Sequence, residues 1–313
     1  MDVKVSVVLL SYCHEKYIEA AIESIFRQET DFKYEIILAD DFSRDRTREL
    51  LGDFTKSHPA DYIFSFTDKN RGAKNNIYQA VKKCKGKYIA FLEGDDFWTD
   101  NTKLQKQSDF LDANPQYSMV THKCSQMNGD GIITEVIAQR FCPDIEVYKK
   151  EDLVTVSSVG HSSSIMLRNK GTDFTDFLRY LRKVKYCPGD CSIPMYMLQY
   201  GDIYILKENM SSYRYVVTDG GTNWSSKHNF YRDFLFFYMI AWQQEMVARK
   251  CHIKLDLFTH KCRYFTNGAK TMIRFKSVRQ LVSCCAMFLF TFHRIKLLRF
   301  AIKDIRENKL ALI

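Results

Sequence analysis

The first 125 residues alternate short apolar runs with segments in which apolar residues recur at helical spacing. Residues 5–10 (VSVVLL) form a run rich in β-branched residues, as expected of a strand buried on both faces. Ile18, Ile22 and Ile25 then share one helical face. The same alternation predicts strands over residues 34–39, 62–66, 88–92 and 117–122, and helices over residues 46–54, 75–83 and 102–111. This βαβ pattern predicts an α/β fold with a mostly parallel sheet and helices on both faces.

The rest of the chain is patterned differently. Residues 126–226 are punctuated by Gly, Asp and Ser, which predicts short strands and loops closing over the sheet edge. Within them, residues 218–224 predict a loop whose Trp224 either stacks on a ligand or packs into the core. Helical spacing begins at residue 229, and a second helical tract covers residues 270–309. The predicted domains are residues 1–225, with halves 1–125 and 126–225, and a helical extension over residues 226–313.

Polar clusters follow the predicted strands at their carboxyl ends, where ligands bind in parallel α/β sheets. In strand order the clusters are Ser11 and Tyr12; Asp40 and Asp41; Asn70, Arg71 and Gly72; and Glu93, Gly94, Asp95 and Asp96. Turns favour such residues whatever their function, so each cluster alone means little. Four clusters in the same position relative to their strands indicate a ligand site at one edge of the sheet.

The fourth cluster indicates a binding site for a cation. Glu93, Asp95 and Asp96 place three carboxylates within four residues at the end of a buried strand, where their repulsion favours a bound positive ion. Ligands that are all oxygen suit Mg²⁺ or Mn²⁺, which bind one or two carboxylates together with substrate phosphates. An acidic turn before the next helix is the structural alternative.

The second and third clusters are more ambiguous. Asp45 is available to cap the helix that follows Asp40 and Asp41, which would leave that pair free to accept hydrogen bonds from a nucleobase or a ribose. Arg71 either faces a diphosphate or is a solvated cation in a loop.

Net charge is divided unevenly along the 313 residues. The whole chain carries +9, but residues 227–313 contain 17 basic and 5 acidic side chains, a net charge of +12, against −3 for residues 1–226. Basic side chains flank apolar ones throughout residues 270–309, a composition that suits the surface of an anionic membrane. The alternative is a helical pair that packs on the rest of the chain or on a second subunit. The sequence therefore leaves open whether the protein forms a homo-oligomer. Nucleic acid binding is disfavoured because no motif for it is present.

The compartment is predicted from the cysteines and the apolar segments. Ten cysteines without a CxxC pair are typical of reduced thiols in the cytoplasm. Residues 5–10 are too short for the core of a signal peptide. The longest uncharged stretches, residues 153–167 and 280–293, are both shorter than the ~20 residues that span a bilayer. We therefore expect a cytoplasmic protein, peripheral at the inner face of the cell membrane.

Four segments together resemble the family 2 glycosyltransferases of GT-A fold: VSVVLLSYCHEKYIEAAIESIFRQ, EIILADDFSRDRT, NRGAKNN and GKYIAFLEGDDFWTD. The resemblance covers residues 3–125 and continues more weakly to residue 225. It is strongest to bacterial enzymes that build capsule, O-antigen or other surface polysaccharide. It implies a GT-A sheet with a helical extension, a nucleotide-sugar donor (a UDP-sugar above all), a Mn²⁺ or Mg²⁺ cofactor and a saccharide or lipid-linked acceptor.

The resemblance also implies roles for individual residues. Ser11 and Tyr12 match the family's turn near the nucleotide, and Asp40 and Asp41 match its acidic pair at the base and ribose. Asn70 and Arg71 match the asparagine-x-glycine loop. Glu93, Gly94 and Asp95 match the DxD element. Asp95 is the expected metal ligand, and Asp96 a sugar contact or a support. Glu93 stands where the family usually has Asp, which puts its ribose contact in question.

The family's general base is an Asp well beyond the DxD element and before a helix. Asp190, which follows Cys187, Pro188 and Gly189, matches that position, although the same residues would also form an ordinary helix cap. A single base opposite the leaving group implies inversion at the anomeric carbon. Arg214 matches a Tyr-Arg element that contacts phosphate or braces a loop. The alternative function is a catalytically silent module that binds nucleotide or scaffolds a membrane-associated assembly complex.

Overall fold

A computed structural model describes residues 2–130, 132–137, 145–156, 159–215, 233–291 and 293–307. The chain divides into two compact units, Met1–Tyr215 and Val216–Ile313. The boundary comes ten residues before the predicted one at residue 225. The predicted loop with Trp224 and the predicted helical start at residue 229 lie outside the described residues.

The first unit is a ten-stranded sheet with helices packed against it. Its strands are β1 Val5–Ser11, β2 Tyr34–Asp40, β3 Tyr62–Phe64, β4 Tyr88–Glu93, β5 Phe97–Trp98, β6 Tyr117–Met127, β7 Ile133–Ile137, β8 Val147–Tyr148, β9 Met166–Arg168 and β10 Asp202–Arg214. Its helices are α1 Ile18–Phe26, α2 Thr47–Ser57, α3 Ala73–Val81, α4 Lys103–Ala113, α5 Thr172–Leu181 and α6 Gly189–Met197. The strand order is β3-β2-β1-β4-β9-β6-β10-β5, with β7 on β6 and β8 on β10.

Strand β1 is the centre of the predicted parallel part. It pairs in parallel with β2 and with β4, and the register sets Ser11 opposite Asp40 and Leu10 opposite Glu93. The apolar face of α1 covers this region with Ile18, Ile22 and Ile25, all buried, and each such side chain contributes about 1.5–3 kcal/mol. The carboxyl ends of β1, β2 and β4 therefore meet at one edge of the sheet, as the sequence predicts.

The second half of this unit is more regular than the sequence pattern predicts. The prediction of short strands and loops is wrong for α5 and for the long strand β10, which pairs in parallel with β6. The helix expected at Asp190 is present as α6. The signal for α5 is present in the sequence, because Phe174, Phe177, Leu178 and Leu181 recur at helical spacing and are buried. The helix begins at Thr172, after the cap residue Gly171. Elsewhere the predicted elements are present, with ends that differ by a few residues.

The second unit contains four described helices: α7 Phe234–Lys250, α8 Phe258–Phe275, α9 Val278–Phe290 and α10 Arg294–Glu307. Their shared core includes Phe234, Tyr238, Phe265, Met287 and Leu297. The helical tract predicted over residues 270–309 is interrupted, because Lys276 adopts a left-handed conformation (φ 49°) and Ser277 caps α9. Among the described residues, no helix combines the length and the apolar character needed to cross a membrane.

Candidate functional site

The Asp40 carboxylate joins the ends of β1 and β2. It is fully buried and accepts hydrogen bonds from Ser11 Oγ at 3.0 Å and from the backbone N–H of Ser43 at 2.9 Å. It also pairs with the guanidinium of Arg48. Asp45 does bond to the first turn of α2, as expected. The expectation that this leaves Asp40 free is wrong, because protein groups already occupy its carboxylate.

Asp41 fixes the loop that contains Asn70, Arg71 and Gly72. Its Oδ1 accepts the backbone N–H of Arg71 at 2.9 Å, and its Oδ2 accepts that of Gly72 at 2.6 Å, so this carboxylate is not free either. Gly72 has φ +85°, which other residues rarely adopt. Asn70 adds a side-chain bond to the N–H of Gly72 at 3.2 Å. The loop is thus held rigidly at the start of α3.

Two predicted nucleotide contacts have exposed side chains. Tyr12 follows β1 directly, and 41% of its surface is exposed. The guanidinium of Arg71 forms an ion pair with Asp68 at 2.9 Å, and both side chains face solvent. An exposed pair of this kind is weak and easily exchanged for a charged ligand.

The carboxylates after β4 interact with one another and with Asp190. Glu93 is partly buried and accepts a hydrogen bond from Ser162 Oγ at 2.9 Å. Burial, with the charges of Asp95 and Asp190 beside it, raises the pKa of Glu93 to about 7. Asp190 therefore lies close enough to the strand end to share its electrostatic environment, although it is 97 residues away along the chain.

Asp96 is the most buried of these carboxylates, with 2% of its surface exposed. Its Oδ1 accepts the backbone N–H of Arg214 at 2.9 Å, and its Oδ2 is 3.4 Å from Nδ1 of His161. Burial and the charges of Asp95 and Glu93 raise its pKa well above the usual range. Burial also lowers the pKa of His161 to about 3, so this imidazole is neutral. The position suits a supporting residue better than a direct contact with the donor.

Arg214 braces the acidic loop. Its Nε donates to the carbonyl of Asp95 at 2.9 Å, and its Nη1 donates to the carbonyls of Asn128 and Gly129 at 3.0 and 2.8 Å. The guanidinium also stacks over the ring of Tyr17 at 4.1 Å. Of the two roles that the sequence left open for Arg214, these contacts favour loop support.

Asp95 has the features of a metal ligand. Its Oδ1 is buried without a hydrogen-bond partner, and its Oδ2 is 3.9 Å from Nε2 of His14. Within the described ranges, no group of three or more His, Cys, Asp or Glu side chains is arranged to hold a metal by itself. One unpartnered carboxylate oxygen fits Mn²⁺ or Mg²⁺ whose remaining ligands come from substrate phosphates and water.

Asp190 is in the first turn of α6, after the cap residue Pro188. The segment before it is tied to the start of α3, because Lys74 donates to the carbonyls of Val184 and Lys185. Since Asp41 holds the loop that begins α3, one continuous set of contacts connects the end of β2 to the segment that leads to Asp190.

Two residues of the site were not singled out from the sequence for the roles they have. A Cβ added at Gly94 would lie 2.8 Å from both His14 Nδ1 and Ile18 Cδ1, so any larger residue would displace these neighbours or the acidic loop. Ser162 donates a hydrogen bond from its Oγ to Glu93. No local pattern could indicate that pairing, since the two residues are 69 positions apart.

Comparison with known proteins gives concordant findings. The family model described as Glycosyl transferase family 2 matches residues 6–172. Over 137 residues the chain is 31% identical to "UDP-Glc:alpha-D-GlcNAc-diphosphoundecaprenol beta-1,3-glucosyltransferase WfgD" of Escherichia coli, covering 44% of this chain and 52% of that protein. TarS 1-349 of S. aureus, solved in complex with UDP-GlcNAc, has a TM-score of 0.60 and 17% identity, covering 91% of this chain and 79% of that one.

A second solved structure carries both a donor and a metal. "Mannosyltransferase PcManGT from Pyrobaculum calidifontis in complex with GDP-Man and Mn2+" has a TM-score of 0.55 and 13% identity, covering 99% of this chain and 88% of that one. At these identities the two structures confirm the expected GT-A fold. The chain spans from about a sixth to about half of the length of the curated relatives it matches.

Proposed function

The chain belongs to glycosyl transferase family 2, and on that premise we propose that it transfers a sugar from a nucleotide sugar to a hydroxyl of a saccharide or lipid-linked acceptor, in the synthesis of bacterial surface polysaccharide. A UDP-sugar is the favoured donor, since WfgD is named for UDP-Glc and the TarS structure contains UDP-GlcNAc. The observation that supports the proposal is that the charges of Asp95 and Asp190 both act on Glu93. The proposed metal ligand and the proposed base are therefore both near the end of β4.

The donor is proposed to bind along the ends of β1, β2 and β4. Tyr12 and Arg71 are exposed and would contact the nucleotide and its diphosphate directly, while Ser11, Asp40, Asp41 and Asn70 hold the loops that surround it. Glu93 would meet the ribose, and its raised pKa allows it to donate a hydrogen bond to a hydroxyl as a protonated acid. Asp96 would support the loop.

Asp95 is proposed to hold Mn²⁺ or Mg²⁺ through its unpartnered Oδ1. When bound, such an ion neutralises the charge that develops on the departing diphosphate. This chain's own contribution is to keep the carboxylate in place, through the bond from Arg214 to the carbonyl of Asp95 and through the space left by Gly94.

Asp190 is proposed to be the general base. It takes the proton of the acceptor hydroxyl as that oxygen bonds to the anomeric carbon and the bond to the nucleoside diphosphate breaks. The transition state has oxocarbenium character, as in glycoside hydrolysis. A single base acting opposite the leaving group predicts inversion of the anomeric configuration. The segment 184–190 is anchored to α3 by Lys74, which keeps the base at a fixed distance from the donor loops.

The test uses the whole chain with UDP-Glc and UDP-GlcNAc and measures UDP release with MnCl₂ or with EDTA. We expect release that depends on the metal and is lost in Asp95→Ala. Asp190→Asn is expected to lower turnover by about 10²–10⁴-fold while UDP binding changes by less than about twofold. Asp173→Asn is the matched control, because Asp173 also lies in the first turn of a helix, α5.

Two outcomes would overturn parts of the proposal. Full turnover by Asp190→Asn would remove Asp190 from the base position. UDP binding without turnover on any UDP-, GDP- or TDP-sugar would favour the catalytically silent module over the enzyme.

The proposed place of action is the inner surface of the cell membrane, where the chain would be peripheral. A lipid-linked acceptor requires the enzyme to work at a bilayer, and WfgD is named for a diphosphoundecaprenol acceptor. The four-helix unit carries the surface that suits this location.

A further inference from the structure

Helix α9 is apolar on both of its faces. Cys284 and Met287 face the core of the four-helix unit. On the other side, Val278, Val282 and Leu289 are 73%, 62% and 66% exposed, and Leu281 is exposed beside them. A surface helix normally has one apolar face and one polar face, and α9 contains only one charged residue, Arg279.

The elements on either side of α9 continue this pattern. Phe275 is exposed at the turn between α8 and α9, with Arg274 and Lys276 next to it. Helix α10 turns Leu297 into the core, whereas its other side exposes apolar residues among basic ones. We call these side chains the basic-apolar surface: Phe275, Val278, Leu281, Val282, Leu289, Ile295, Leu298 and Ile302, with Arg274, Lys276, Arg279, Arg294, Lys296, Arg299 and Lys303.

Acidic residues are absent from this part of the sequence. Residues 257–303 contain ten Lys and Arg and no Asp or Glu. The acid that follows, Asp304, pairs with the buried Lys270 at 2.6 Å. Arg279 pairs with Asp233, and Lys303 lies 3.9 Å from Glu307. Within the described ranges, the cations of this surface without an acid partner are Arg274, Lys276, Arg294, Lys296 and Arg299. The surface thus combines exposed apolar side chains with a strong positive potential.

We propose that the basic-apolar surface docks on a bilayer that contains anionic lipids. The apolar side chains enter the boundary between headgroups and acyl chains, and the surrounding Lys and Arg contact the lipid phosphates. A second copy of the chain is a poorer occupant, because a symmetric contact would bring this positive surface against itself. The inference rests on the proposed function only for the choice of membrane, since lipid binding needs neither donor nor acceptor.

The experiment is vesicle co-sedimentation of the whole chain. We expect binding to phosphatidylcholine vesicles containing about 30% phosphatidylglycerol to exceed binding to pure phosphatidylcholine by at least about tenfold, and to weaken as salt is added. The double variant Leu281→Glu/Val282→Glu is expected to lose at least about tenfold in vesicle binding. UDP release in solution by this variant should equal that of the natural chain.

Controls separate docking from misfolding and from self-association. Met246→Glu places the same charge on an exposed side chain of α7 and should keep vesicle binding. Arg274→Gln/Lys276→Gln changes no apolar side chain and should lose only the preference for anionic vesicles. Equal binding of the natural chain to neutral and anionic vesicles, or unchanged binding by the double glutamate variant, would overturn the proposal. So would a dimer, seen by light scattering, that the glutamate pair dissociates while no vesicle binding is found.

Discussion

The backbone N–H of Arg214 donates to Oδ1 of Asp96 at 2.9 Å, so the end of β10 is joined to the acidic loop that follows β4. The side chain of Arg214 extends the same connection to the carbonyls of Asp95, Asn128 and Gly129. A single residue therefore connects the loop carrying the proposed metal ligand to the second half of the sheet.

Replacing Arg214 by Ala should disrupt this support. The change leaves three backbone carbonyls without their donor, which predicts a loss of about 1–3 kcal/mol in the free energy of unfolding and a clear rise in KM for the donor. Thermal unfolding and donor kinetics measure the two effects. Arg179→Ala, which removes an exposed ion pair with Asp176, should cost less than about 1 kcal/mol. An equal effect of the two substitutions would contradict the role given to Arg214.

Gly94→Ala tests the close approach of the acidic loop to α1. The added methyl would lie 2.8 Å from Ile18 Cδ1 and 3.2 Å from the carbonyl oxygen of Leu10, so the loop must move and Asp95 with it. We expect UDP release to fall at least about tenfold and stability to fall by about 1–3 kcal/mol. Gly52→Ala in α2 is the matched control, since nothing lies within 4 Å of its added Cβ. That change should raise stability by about 0.5–1 kcal/mol.

The raised pKa of Glu93 should make the free energy of unfolding depend on pH when no metal is bound. Its pKa of about 7 in the folded chain is above the ordinary value of 4.5, so between these values the folded protein keeps a proton that the unfolded chain releases. The free energy of unfolding should therefore decrease as pH rises through this window, by up to about 3 kcal/mol from this group. Glu93→Gln should flatten the curve. Unfolding temperatures measured in EDTA from about pH 5 to about pH 8 decide the point, and parallel curves for both proteins would refute it.

Replacing the buried Lys103, which lies away from the candidate site, should not destabilise the protein. Its ammonium group is buried, bonds to Gln107 at 2.7 Å and lies 4.1 Å above the ring of Trp98. Burial lowers its pKa well below the usual range, so the charged form is disfavoured. Lys103→Met keeps the volume and should leave stability unchanged or raise it by about 1 kcal/mol. Lys106→Met, at an exposed ion pair, should change stability by less than about 0.5 kcal/mol, and a large loss from Lys103→Met would count against this account.

The parallel half of the fold could be predicted because its signals are local. Strand β1 and helix α1 each carry their own periodicity, and residues 40–41 and 93–96 follow their strands directly. The contacts that complete the site are not local. Ser162 reaches Glu93, Arg214 reaches Asp95 and Lys74 reaches Val184 only after the chain has folded, so no sequence pattern could indicate these pairs.

The sequence predicts where the acidic residues lie, but it does not predict the hydrogen bonds that their carboxylates accept. The sequence places Asp40 and Asp41 correctly at the end of β2, but it suggested free carboxylates where the structure has fully bonded ones. The reason is that hydrogen-bond partners such as Arg48 and the N–H of Gly72 belong to neighbouring segments. The backbone geometry of those segments cannot be predicted from the residue types alone.

The way Asp41 holds its loop has a practical consequence for engineering. The carboxylate accepts hydrogen bonds from the backbone N–H groups of Arg71 and Gly72, and these bonds do not involve the side chain at position 71. Any residue except proline keeps that N–H, so a saturation library at position 71 would vary the chemistry offered to the donor while the loop keeps its shape. Position 72 offers no such freedom, since its φ of +85° requires glycine.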